Sequence, residues 1–203
     1  MTDPHAALWW LPVGAGGHVV IHTSRWWELL NALRERRGAR PLLHAALEVF
    51  DGHPRYVIEM TPAWGGPAGS RGVVATGPVG ARWLGASRLF RYEVRCWRDG
   101  TIPDRDWATV PPLRLALSSV EADALLARVP EVPQLVWGRD VLGIDDMWNS
   151  NSLISWLLHT SGINEAQLSP PGHGSAPGWR ESPLPASEDP RSRDEPCGEV
   201  SCF

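Results

Sequence analysis

Leu42-Leu43-His44-Ala45-Ala46-Leu47-Glu48-Val49-Phe50, then Asp51-Gly52-His53-Pro54, then Tyr56-Val57-Ile58-Glu59-Met60 is the stretch whose reading decides the fold of this chain. Two short apolar runs flank a cluster of turn formers, the pattern of a β-hairpin. Alternation along the second run puts Val57 and Glu59 on one face and Tyr56, Ile58 and Met60 on the other. His44 and Glu59 then share a face only in the right register, because a one-residue slip would turn Glu59 away.

Outward from the hairpin, His18–His22, Gly72–Thr76 and Leu89–Val94 read as further strands. Thr23 or Ser24 can cap a helix whose Trp26, Leu29, Leu30 and Leu33 recur at helical spacing, with Gly38 as its end. Ser118-Ser119-Val120-Glu121 is a capping box that opens a helix to about Val129, closed by Pro130. A last helix spans about Asn149–Thr160. Leu153, Ile154, Trp156, Leu157 and Leu158 are its buried side, and Gly162 is its stop. A helix, an antiparallel β-meander and then helices define an α+β class. One domain over 1–168 is expected, followed by a Pro/Ser/Arg-rich, largely disordered tail over 169–203 in which Trp179 anchors the start to the domain.

Composition narrows the function classes. The 203 residues include 43% apolar and 21% charged residues, ordinary for a globular protein. A net charge of −4 argues against a nucleic-acid partner. No window approaches a membrane span. The first residues lack a basic segment before an apolar core, which makes a bacterial-type cytoplasm the expected location. All 19 basic residues are arginine, a composition expected of a GC-rich genome. The absence of lysine removes Schiff-base chemistry. The 12 tryptophans supply core or cleft area. Cys96, Cys197 and Cys202 have no paired-ligand spacing, so neither a disulfide scaffold nor a structural zinc site is expected.

Few groups could carry chemistry. His18 and His22 share a strand face but lack a third ligand, so no metal and no cofactor are expected. His5, His53, His159 and His173 occupy contexts where a solvated histidine suffices. Asp145-Asp146 suits the positive end of the last helix. Trp64-Gly65-Gly66-Pro67-Ala68-Gly69 lacks the spacing of a phosphate loop. Two segments remain. His44 and Glu59 on partner strands could place a carboxylate beside an imidazole. Trp148-Asn149-Ser150-Asn151-Ser152 sets polar groups at a helix mouth, where the dipole favours an alkoxide or oxyanion, although Asn149 or Ser150 could simply cap the helix.

In order and context these segments resemble the circularly permuted papain-like proteins, the lecithin-retinol-acyltransferase-like branch of the NlpC-type superfamily. There a His-Trp-Ala-Leu-Tyr-Val strand precedes a hairpin strand with a second polar residue, and an Asn-Cys-Glu-His-Phe motif opens a helix far downstream. The resemblance covers about 42–62 and 145–162. It implies His44 as base, Glu59 as orienting residue and Ser150 as nucleophile, with Asn149, Asn151, Ser152 and Trp148 around a bound substrate. Serine here replaces cysteine, and a serine hydroxyl needs a base and a strong oxyanion site where a thiolate would not. Two readings follow. One is a hydrolase or acyltransferase acting on an amide or ester of a small-molecule, lipid or peptide substrate. The other is a catalytically inactive relative that acts as a binding module.

Overall fold

The structure is a computed structural model that describes residues 3–14, 40–52, 54–64, 71–140, 147–164, 168–172 and 174–179. The hairpin forms as its turn chemistry dictates. Strands β2 (Leu43–Phe50) and β3 (Arg55–Pro62) pair antiparallel, with Leu47 opposite Ile58 and Glu48 opposite Val57. Gly52 sits in the connection at φ +73°, a conformation that favours glycine.

On the other side of β2 lies β1 (His5–Pro12), whose two-sided apolar run His5-Ala6-Ala7-Leu8-Trp9-Trp10-Leu11 is buried throughout. Sequence alternation misses this strand, because a strand covered on both faces shows no period of two. Beyond β3 come β5 (Arg91–Arg98) and the edge strand β4 (Val73–Pro78), and β6 (Leu113–Ala116) closes the opposite edge beside β1. The six-stranded antiparallel sheet has the order β4-β5-β3-β2-β1-β6. The strand expected over Leu89–Val94 begins later, at Arg91. The Ser87 hydroxyl accepts from the Leu89 N–H at 3.3 Å, and residues 88–90 coil into a 3-10 turn instead.

Two α-helices are present among the described residues. α1 (Ser119–Arg128) opens on the expected box, with Ser118 Oγ accepting from Glu121 N–H and Glu121 accepting from Ser118 N–H at 2.7 Å. α2 (Ser150–Thr160) is capped by Asn149 and followed by Gly162 at φ +77°. Both pack on one sheet face. Leu8, Trp10, Leu43, Ala45, Leu47, Val49, Ile58 and Val94 form a single core with Leu125, Leu153, Ile154, Leu157 and Leu158. The opposite face carries a smaller apolar cluster, Trp9, Leu11, Ala46 and Val57 under Ile102.

The chain stays on this body past residue 168. Leu43 N–H donates to Ser175 O at 2.8 Å and Ser175 N–H to Pro41 O at 2.9 Å, extending the end of β2 by one parallel bridge. Trp179 meets Trp10 edge-on at 4.7 Å and donates its indole N–H to Leu168 O at 2.7 Å. Trp179 is thus the expected anchor, and the folded part reaches it rather than ending at 168. The expected strand over His18–His22, the helix up to Gly38, His53, Asp145-Asp146, the loop Gly65–Gly69, His173 and the tail from residue 180 lie outside the described residues.

Candidate functional site

Alternation along β2 decides which side chains can meet. Leu43, Ala45, Leu47 and Val49 point to the helices, so His44, Ala46 and Glu48 point to the other face. The register of β3 puts Glu59 on the face of Ala46, and hence on that of His44. On β5, Glu93 and Arg95 project the same way, with Arg95 directly opposite Glu59. Four charged side chains, Glu48, Glu59, Glu93 and Arg95, are therefore buried on a single sheet face.

They are joined rather than isolated, as burial of charge requires. Arg95 Nη1 donates to Glu59 Oε1 at 2.9 Å, and its Nε donates to Glu93 Oε1 at 2.7 Å. Arg71 grips Glu93 with two parallel bonds of 3.1 and 2.9 Å. At the other end His44 Nε2 lies 3.8 Å from Asp104 Oδ2, an ion-pair distance too long for a hydrogen bond. Burial pushes the Glu59 carboxyl above its ordinary range, against the attraction and hydrogen bond of Arg95 and the attraction of His44, while Asp104 pushes it up further. A second group completes the face. Glu48 accepts from the Trp9 indole at 2.9 Å and from Arg55 at 3.1 Å, and the Arg105 guanidinium lies 4.9 Å from the Trp9 ring centroid.

The start of α2 is a hydrogen-bonded cap. Asn149 Oδ1 accepts from the N–H groups of Asn151 and Ser152 at 2.7 and 3.2 Å, and Ser152 Oγ accepts from Asn149 N–H at 2.7 Å. This is a reciprocal cap, so Asn149 rather than Ser150 is the capping residue. Asn149 and Asn151 both donate to Pro177 O at 2.8 Å, and Asn151 also donates to Leu43 O at 3.0 Å. Trp148 donates to the Tyr92 hydroxyl at 3.2 Å, and that hydroxyl donates onward to Leu135 O at 2.8 Å. Asn149, Ser152 and Trp148, expected around a substrate, make these bonds within the protein, and Asn151 does so through its amide N–H groups while its buried Oδ1 has no hydrogen-bond partner. A Cβ on Gly178 would come within 2.6 Å of the Asn149 carboxamide, so the strap over this corner requires glycine there.

The structure brings His44 and Glu59 to one face of the sheet and leaves Ser150 on the other. Ser150 is buried in the first turn of α2, on the Leu43 side. The other described histidines do not replace His44. His5 stands at the far end of β1, roughly 23 Å along a strand rising ~3.3 Å per residue. His159 is exposed in the last turn of α2, about 14 Å of helix rise from Ser150. Cys96 lies in β5, away from any helix start, and burial pushes its thiol up to about 11. Among the described residues no group of three His, Cys, Asp or Glu side chains is arranged to hold a metal, and no helix is long and apolar enough to cross a membrane.

Sequence reasoning found His44 and Glu59 but not Arg71, Glu93, Arg95 or Asp104. A signal existed in Tyr92-Glu93-Val94-Arg95, where charge alternates with apolar residues inside a strand flanked on both sides. No family model matches this chain, and no curated protein and no solved structure matches it.

Proposed function

We propose that this protein is not a catalyst and works as a binding module, the second reading that the resemblance offers. One observation carries the reading: His44 and Ser150, the base and nucleophile of the resemblance, are on opposite faces of β2. A serine nucleophile without a base at hydrogen-bond reach has little means of losing its proton during attack. His44 faces Asp104 and Glu59, and the polar groups beside Ser150 hold the strap at Pro177. The ion ladder then serves to fix the sheet, and the helix mouth serves to close the domain.

The test is covalent labelling of the purified full chain with a fluorophosphonate probe and with an activated ester. The expected result is no labelling that depends on Ser150. Labelling lost in both Ser150→Ala and His44→Ala, with the fold retained by circular dichroism, would refute the binding reading and establish the hydrolase or acyltransferase one.

A further inference from the structure

The chain between Met60 and Tyr92 contains no acidic residue and no Asn, Gln or His, but four arginines: Arg71, which is paired with Glu93, Arg82, and Arg88 and Arg91, which donate to Ala63 O and Gly85 O. Two successive 3-10 turns, Arg82–Ala86 and Arg88–Phe90, project from the β4–β5 end of the sheet with none of their residues buried. They present Trp83 at 77%, Leu89 at 69% and Phe90 at 44% exposure. Trp64, 55% exposed, is tied to the same place by its indole N–H, which donates to Leu89 O at 3.2 Å. Trp137, also exposed, joins through backbone bonds with Pro78 and Gly80, and Arg139 Nε donates to Gly80 O at 2.7 Å. Large side chains exposed together are the exception on a monomer surface and mark an interaction site.

We infer that this surface docks on an anionic lipid membrane, with Trp83, Leu89 and Phe90 entering the interface and Arg82 and Arg88 meeting the headgroups. Trp, Leu and Phe beside Arg are the residues that favour the boundary between headgroup and acyl chain, where long cationic side chains reach back to phosphate. Part of the backbone of the two turns is already paired within the protein. Leu84 N–H bonds Ala81 O, Ser87 N–H bonds Leu84 O, Phe90 N–H bonds Ser87 O, and Arg91 donates to Gly85 O. The inference deepens the binding reading by naming a partner. Its test makes no reference to Ser150, so either can fail alone.

The test is co-sedimentation of the full chain with vesicles of phosphatidylcholine containing 40% phosphatidylglycerol, and with pure phosphatidylcholine vesicles. Binding to the anionic vesicles is expected, weaker on the neutral ones and falling with added salt. Each of Arg82→Gln and Arg88→Gln should lower partitioning about fivefold, as loss of one cation at an anionic surface does. Trp83→Ala with Leu89→Ala should lower it more than tenfold, with circular dichroism and melting temperature unchanged because both side chains are exposed. Protein that stays in the supernatant with the anionic vesicles, or variants that bind as tightly as the parent, would overturn the inference and leave a protein partner as the occupant.

Discussion

Arg95 holds two buried carboxylates at once, which makes it the residue whose loss the sheet should feel most. In Arg95→Met, Glu93 keeps Arg71 but Glu59 loses its ion-pair and hydrogen-bond partner. Breaking a buried pair on one side costs about 3–5 kcal/mol, because the remaining charge stays desolvated. The sign of the pH effect follows from Glu59. Its folded carboxyl lies above the ordinary value of 4.5, so the stability linked to it is fully present below 4.5 and lost as pH rises through the folded value. Arg95→Met removes the main opposing influence and widens that window. Urea unfolding should therefore show a larger loss at pH 8 than at pH 5, and equal losses would refute the charge account. Cys96 gives a simpler check. With its thiol pushed up to about 11, it should be alkylated by iodoacetamide far more slowly than glutathione at pH 8, as read by site-resolved mass spectrometry.

At the scale of elements, both helices begin on reciprocal caps, and the two caps differ in consequence. The Ser118 box is exposed, and its hydrogen bonds hold the Glu121 carboxyl below the ordinary glutamate range. A depressed carboxylate stabilises above its unfolded value, and that stability is lost as pH falls through the folded one. Glu121→Gln should flatten the acid limb of the stability–pH curve measured by thermal unfolding, while an unchanged limb would remove the box from the balance. The Asn149 cap also ties the strap to the helix, through Pro177 O. Its sequence was legible as a cap. Its second bond was not, because Pro177 stands 28 residues away and no periodicity reports that distance.

For the whole molecule, the strap makes the domain longer than composition suggests. The Pro- and Gly-rich stretch after Leu168 has few apolar groups, yet Trp179 packs at Trp10 and Ser175 bridges to the start of β2. Trp179→Ala should cost about 2 kcal/mol, less than the 3–5 kcal/mol of a fully buried tryptophan, since Trp179 is only partly buried. Differential scanning calorimetry checks this, and a melting temperature equal to the parent's would show that the strap adds nothing to the fold.

The local chemistry of the sequence determined the hairpin, the two caps, the stop at Gly162 and the anchor at Trp179, because each depends on residues within a few positions or on one large side chain with nowhere else to go. It also allowed His44 and Glu59 a shared face in one strand register and not in the register one residue away. Tertiary structure alone decided that β1 runs inside the sheet between β2 and β6, that β5 carries Arg95 opposite Glu59, and that α2 covers the Leu43 face of β2. Pairing order and register are set by burial summed over the whole sheet, and a residue's neighbours across strands leave no mark in its own stretch of chain. For that reason His44 and Ser150 could be matched to a family's order of motifs in the sequence while the fold put β2 between them.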